Sequence, residues 1–352
     1  MPTVEQAIDT PAVTAKPAAG KRDRRVMRSP YLHKMQRRHF FLFDILPVFG
    51  VIAAVALLWV RPLTRTDVAL FLVFWALTGF AISIGFHRLF THRSFKTSTP
   101  VRIALVAFGC MAARSTMITW TSQHRRHHEL ADHDGDVHSP NLFGQSPWQR
   151  LRGLWYSHFA WMLKHDYANV VHYCPDLLAD KPVIKADRMY YRWIALGMIL
   201  PAVIGGLVSQ SWMGALTGFL WGGVVRLFVV AQQVSALNSL THMFGTRPFK
   251  MKDNYSHNNA LFGLITWGEG WHNNHHAIPE SANFAFHWYQ LDPGFAVIRI
   301  LEALGLVWDV KQPTAERIST RLARIAEQTT SDPVEQGGGL EMIGSLEGEH
   351  AH

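Results

Sequence analysis

The sequence predicts an all-α, polytopic membrane protein, with four transmembrane helices carrying a cytoplasmic helical cap that holds a histidine-rich site. Three observations carry that prediction. Four apolar stretches approach the ~20 residues that a bilayer core requires. Charged residues make up 17% of the chain, against about a quarter in an ordinary soluble domain. The 13 Trp and 21 Phe among 352 residues suit aromatic belts at membrane interfaces.

Taken in order, residues 1–20 are rich in Ala, Thr and Pro and hold no apolar core of a signal peptide. With the block Lys21, Arg22, Arg24, Arg25, Arg28, Lys34, Arg37 and Arg38 they form a basic, largely disordered tail over 1–38. Much of the formal net charge of +8 lies in this block. Such a block suits nucleic acid or an anionic membrane surface. The apolar spans decide for the membrane, where the block holds the N-terminus in the cytoplasm, and no nucleic-acid partner is expected.

The first span runs from about Phe40 to Val60, interrupted by Asp44 and Pro47, and the second from Val68 to Phe86 without a charge. Arg61 and Arg65 in the turn between them run against the positive-inside preference but are outnumbered by the N-terminal block. Val101 to Met117 is apolar yet carries Arg102 and Arg114, which predicts a buried or interfacial helix. Between Trp193 and Val225 there is no charge. A turn around Gly205–Ser211 divides this region into spans Met189–Val208 and Trp212–Val234. Arg226 lies inside the latter, where an ionisable residue either marks function or pairs with carbonyls or a carboxylate. Four spans with the N-terminus inside place 87–188 and everything after about 236 on the cytoplasmic side. Phe295–Val310 then reads as an amphipathic helix and Thr314–Ala326 as a polar one. A membrane domain over 39–327 and a disordered tail over 328–352 complete the expected organisation.

Cys110 and Cys174 are the only cysteines and form no CxxC pair. A Cys-ligated zinc or iron–sulfur centre is therefore out of reach, and two ordinary buried thiols are expected.

The histidines are the distinctive feature. His272, His275 and His276 in TWGEGWHNNHH sit at i, i+3 and i+4, which on a helix places three imidazoles on one face. His124, His127 and His128 in HRRHH repeat the spacing, although a solvated basic face with Arg125 and Arg126 would look the same. His87 and His92 in HRLFTH are five apart and diverge by ~140° on a regular helix, so the helix must end or unwind for both to reach one metal. Asn238 and His242 in NSLTH share a face at i, i+4. Imidazole suits Zn, Cu, Fe and Ni. Four protein ligands complete a structural zinc site, so nine histidines imply two metals.

In this order and spacing, HRLFTH, HRRHH, NSLTH and GEGWHNNHH resemble the membrane-bound fatty acid desaturases, specifically the acyl-CoA Δ9-desaturase type. DHDGDVHSP at 132–140, GLWYSHFAWML at 153–163 and GLVWDVK ending at Lys311 support the resemblance, which runs from about His39 to Lys311. It implies two iron ions held by His87, His92, His124, His127, His128, His242, His272, His275 and His276, with Asn238 reaching one iron through water. It also implies O₂ as co-substrate and insertion of a cis double bond, at Δ9, into a saturated fatty acyl chain carried as acyl-CoA. Asp132, Asp134, Asp136 and Glu269 are candidate hydrogen-bond acceptors for the far nitrogens of these histidines. His133, His138, His158 and His165 are expected in supporting or surface roles.

The chain departs from the family pattern in three places. Thr121-Ser122-Gln123 precede HRRHH where many relatives carry an acid, Ser139–Arg152 is an insertion, and Lys164-His165-Asp166 stand where a basic pair is common. These leave the metal ligands in place and bear on the acyl carrier. No His-Pro-Gly-Gly haem segment occurs, and two cysteines cannot build a rubredoxin or ferredoxin cluster. The electron donor, of ferredoxin, rubredoxin or cytochrome b5 type with its reductase, is therefore a separate protein. A membrane di-iron hydroxylase of acyl chains or alkanes is the nearest rival. A metal transporter is disfavoured because transport sites lie near mid-membrane. Ala76, Gly79 and Ala81 are candidates to tune a substrate tunnel between the second and fourth spans.

Overall fold

A computed structural model describes residues 23–252 and 254–331. Of the tails expected over 1–38 and 328–352, residues 1–22 and 332–352 lie outside the described residues. Helices dominate, and four of them are long and apolar enough to cross a membrane: α1 (Pro30–Leu57), α2 (Arg65–Thr91), α6 (Tyr190–Ser209) and α7 (Trp212–Leu240). Between and after them come α3 (Thr99–Cys110), α4 (Met117–Leu130), a helical stretch over 147–164 that we call α5, α8 (Ala260–Ile265), α9 (His272–Ala277), α10 (Pro293–Ala303) and α11 (Ala315–Ser331).

The first helix starts earlier than the hydropathy predicts. Ser29 caps it by accepting from the Tyr31 amide, and Pro30 occupies the first turn, where its missing N–H costs nothing. The described part of the basic segment is thus ordered rather than loose. Its strand β1 (Val26–Met27) pairs with β3 (Tyr167–Ala168). Asp44 does not break the span. It lies in a widened π turn, Phe41–Ile45, and accepts from Arg114 Nη2 at 2.7 Å. The buried cation supplies the partner that an intramembrane carboxylate requires.

Arg226 resolves in favour of its structural alternative. Pro201 in α6 cannot donate to the carbonyl four residues back. Arg226 Nη2 takes that free Gly197 oxygen at 2.8 Å, while Nη1 reaches Met111 at 2.6 Å and Nε reaches Gly222 at 3.2 Å. One side chain therefore ties α6, α7 and the segment after α3 together. The α6–α7 contact is close because Gly218 faces Pro201: a Cβ there would fall 2.2 Å from the Pro201 carbonyl oxygen. Small residues admit such backbone approach in lipid.

Phe49, Ile52, Leu207 and Val208 are exposed on α1 and α6, as lipid-facing residues should be. Trp59 and Trp212 are exposed at the turns away from the histidines, positions that suit an aromatic belt. The cap closes the opposite end. The helix expected over Phe295–Val310 stops at Ala303 because Gly305 takes the left-handed conformation (φ 70°). The chain then forms β4 (Val307–Trp308) against β2 (Lys96–Thr97). The expected polar helix runs on to Ser331 and is amphipathic, packing Ile318 and Ile325 against Ala277 and Ile278 beside the histidine helix α9. The apolar stretch Val101–Met117 divides into α3 and the start of α4, with Arg114 in the bend between. Cys110 and Cys174 are both buried free thiols.

Candidate metal centre

The end of α2 explains how two histidines five apart converge. As the spacing requires, it loosens around His87 and ends at Thr91, with His92 as its C-cap. It widens into a π-helix over Ala81–Thr91, whose i→i+5 bonding stacks residues five apart. The His92 amide donates to the His87 carbonyl at 3.2 Å, and their rings lie 4.9 Å apart. Helix α4, capped by Thr116, and the short α9 bring the two HxxHH segments against this end, and His242 follows directly after α7.

The nine histidines form two groups whose ligating nitrogens lie within 4.8 Å of one another. One contains His87, His92, His124, His128 and His275, and the other His127, His242, His272 and His276. Neither HxxHH triplet serves a single group. On a helix the i+3 residue falls ~60° to one side of residue i and the i+4 residue ~40° to the other. His124 and His128 accordingly join the first group while His127 joins the second. His272 and His276 join the second while His275 crosses to the first.

Nitrogen faces nitrogen across both groups. His87 Nε2 lies 3.0 Å from His275 Nε2, and His128 Nε2 lies 2.9 Å from His275 and 3.1 Å from His124. In the second group, His272 Nε2 is 3.0 Å from His242 and 3.1 Å from His276. His92 Nε2 and His127 Nε2 are buried with no hydrogen-bond partner. Two donors each ~2.1 Å from one ion would sit ~3.0 Å apart at octahedral and ~3.4 Å apart at tetrahedral angles, so the donor set fits two metal ions. Burial first, and then neighbouring imidazoles, hold His124, His128, His272, His275 and His276 well below the usual histidine range. Neutral imidazole is the ligating form.

Carboxylates orient the rings from behind. His87 Nδ1 donates to Glu269, which also accepts from Ser83. His127 Nδ1 donates to Asp136 at 2.8 Å, and His242 Nδ1 to Asp132 at 3.0 Å. Burial alone would depress His242, but Asp132 raises it. Such partners fix the tautomer and leave Nε2 free to bind. Asp134 is the exception: it is exposed on the loop, two residues away from either buried carboxylate, and touches no ligand histidine. His133 is exposed too. His138 is buried beside His127, with ring centres 4.4 Å apart. His158 is held by Ser239 and Gln232, and His165 by Gln36 and Gln123.

Three contributors were not singled out from the sequence. Arg88, wholly buried, donates to Asp292 at 3.0 Å and to the Trp267 and Ala282 carbonyls, with its guanidinium over Phe284. Phe284 packs on His275 at 4.5 Å. Trp120 stacks on His124 at 4.9 Å, and its position four residues earlier on the same helix was the available signal.

Two cavities meet at this centre, sharing Trp120, His124 and Val234 in their walls. The outer one, about 380 Å³, has polar groups such as Gln36, Gln123, Arg114 and His165. The inner one, about 50 Å³, runs between α2 and α7 past His87, His272 and Asn238 and is lined by Ile82, Val230, Val234 and Leu237.

Comparison with known proteins agrees with this architecture. A family described as fatty acid desaturase matches residues 66–309. The chain is 43% identical over 316 residues to a Moorena producens protein named hex-5-enoyl-[acyl-carrier protein] acetylenase, covering 89% of this chain and 98% of that one. It is 34% identical over 244 residues to the sn-1 stearoyl-lipid 9-desaturase of Anabaena variabilis, covering 68% and 82%. It is 33% identical over 260 residues to acyl-CoA desaturase 1 of Saccharomyces cerevisiae, covering 73% of this chain and 48% of the yeast protein.

Proposed function

Because the chain belongs to the fatty acid desaturase family, we propose that it is an oxygen-dependent desaturase. It converts an adjacent pair of methylenes in a fatty acyl chain into a cis double bond. The observation that carries this reading is the pair of histidine groups set against two cavities that share Trp120, His124 and Val234 in their walls. His87, His92, His124, His128 and His275 would hold one iron, and His127, His242, His272 and His276 the other. Asn238, half-buried on α7 and lining the inner cavity, would reach the second through water. Bound iron supplies the oxidant that an unactivated methylene requires, with two electrons and two protons joining O₂ and the two substrate hydrogens to give two waters.

The chain's own residues do the rest. The apolar walls of the inner cavity hold the alkyl segment beside His87 and His272 and keep bulk water away. The polar outer cavity takes the end bearing the carrier. Glu269, Asp136 and Asp132 keep His87, His127 and His242 in the tautomer that binds.

We assign the substrate as a thioester-linked acyl chain, acyl-CoA in the first instance, with the double bond at Δ9. The name of the yeast relative supports the acyl-CoA carrier and that of the Anabaena relative supports position 9, while the Anabaena and Moorena names bring a lipid-linked chain and an acyl-carrier protein into consideration as carriers. The basic block spanning the start of α1 supports a cytoplasmic centre, where a separate redox protein would dock on the cap.

The test is expression with a ferredoxin and its reductase, followed by gas chromatography–mass spectrometry of cellular and supplied acyl chains. New cis-monounsaturated chains are expected, and His272→Ala should abolish them. Hydroxylated chains instead would overturn the proposal. A triple bond formed from a supplied alkenoyl substrate would place the chain's chemistry with that named for the Moorena relative.

A further inference from the structure

The carbonyls at the end of α2 can be followed one by one. A helix leaves its last carbonyls without intrahelical partners, and buried backbone groups are almost always paired. The His87 oxygen takes the His92 amide at 3.2 Å, Leu89 takes the Arg93 amide at 3.1 Å, and Arg88 takes the Ser94 amide at 2.9 Å. Arg93 turns into the left-handed region (φ 53°) to allow this. Phe90 and Thr91 remain, both buried and reached by no backbone amide among the described residues. Arg125 of α4 takes them instead. Its Nη2 donates to the Phe90 carbonyl at 2.7 Å and its Nε to that of Thr91 at 3.2 Å.

The rest of the guanidinium is engaged as fully. Nη1 donates to the Tyr173 carbonyl and to Asp176 Oδ1, both at 2.7 Å, and Nη2 gives its second hydrogen to Asp176 Oδ2 at 3.0 Å. Every N–H of the arginine fork therefore has an acceptor. The side chain is 16% exposed, so the first arginine of HRRHH belongs to no solvated face. Burial alone would raise Asp176, but Arg125 and then Arg93 hold it down at about 2. The anchor is thus charged at neutral pH.

The clamped turn carries His92. This residue follows the last π turn, and its ring centre lies 4.9 Å from that of His87, 4.6 Å from His128 and 4.7 Å from His275, with Nε2 buried and unpartnered. Carboxylates back His87, His127 and His242, but among the described residues none backs His92. Its aim depends on the backbone that bears it. We propose that Arg125 is the positioning residue of His92: by fixing the Phe90 and Thr91 carbonyls from α4, it sets one of the five imidazoles of the first histidine group. The proposal rests on the two-ion reading of the site. The alternative is that Arg125 only pins α4 to α2. A pin matters equally whether or not His92 can bind metal, whereas a positioning residue acts through His92 alone.

The experiment is a double-mutant cycle on the full chain in detergent, with iron(II) affinity read anaerobically by chelator competition. Support behind a metal ligand is worth about 10–100-fold in affinity. Arg125→Lys keeps the charge but replaces the five-donor fork by a single ammonium, and should lower affinity by about 10-fold or more. In a His92→Ala background the same change should cost less than about 2-fold, since coupled residues do not add. Saturating cobalt(II) gives a second readout that does not depend on affinity. The visible absorption of loaded Arg125→Lys should depart from the wild-type spectrum toward that of loaded His92→Ala. Asp176→Asn, which removes the anchor and leaves the fork, should show a smaller loss with the same dependence on His92, and serves if the lysine variant fails to fold. Equal losses with and without His92, or wild-type affinity and spectrum in the Arg125 variant, would overturn the assignment. A wild-type chain that takes up neither ion would strike the two-ion reading itself, and this proposal with it.

Discussion

Replacing Glu269 by Gln removes the carboxylate that accepts from His87 Nδ1 while leaving every ligand nitrogen in place. Partners of this kind are worth about 10–100-fold in metal affinity. We expect Glu269→Gln and Asp136→Asn each to lower iron affinity within that range, read as iron per chain under chelator competition. Asp134→Asn, on an exposed carboxylate, should match the wild type. Full iron retention by both buried-site variants would show that these carboxylates do not orient the ligands. At this scale the sequence was largely readable: all nine histidines meet, and three of the four carboxylates singled out lie behind them. Asp132, Asp134 and Asp136 could not be ranked in advance, because which loop carboxylates turn inward depends on the left-handed backbone at Asp132 (φ 61°). The contacts of Arg125 were invisible for a similar reason, since its acceptors lie 34 to 51 residues away along the chain.

Widened helical turns decide what the spans can do as elements. Residues 81–91 form a π-helix, and only that geometry lets His87 and His92 point at one ion. Spacing alone required the helix to end or unwind there but could not name the form, because a pattern read at 3.6 residues per turn has no place for an i→i+5 bond. Deleting Ile84, upstream of both histidines in the π-helix, should rotate them by roughly a quarter turn relative to the rest of α2. The span would still insert, as judged by membrane fractionation, but iron would be lost. Retained iron would show that the π turn has no part in placing the ligands. Arg226 offers a separate test. Arg226→Met frees the Gly197 and Met111 carbonyls, and one hydrogen bond to a charged group is worth about 1.5–3 kcal/mol. A lower unfolding midpoint in detergent is expected with iron content preserved, and an unchanged midpoint would deny the tie.

The whole molecule is a four-span bundle with a cap at its histidine-bearing end, and that much followed from hydropathy and histidine spacing. The small β pairings did not. Lys96–Thr97 meet Val307–Trp308 across most of the chain, and two-residue strands carry no periodic signal. With four spans, reporters fused to the two termini should both read on the cytoplasmic side, and termini on opposite sides would refute that topology. The exchange of His127 and His275 between the two histidine groups has a consequence for how the enzyme comes into being. Each of α4 and α9 places two imidazoles in one group and lends its third to the other, so neither group is complete until both helices have docked. Metal filling one site should therefore organise the other, so that by linkage a second ion would bind more tightly than the first. Titration of the iron-free protein should then be sigmoidal, with singly loaded molecules scarce at every ratio. Maturation would proceed as a single switch from empty to full, and a cell short of iron would hold fewer active molecules rather than many half-built ones.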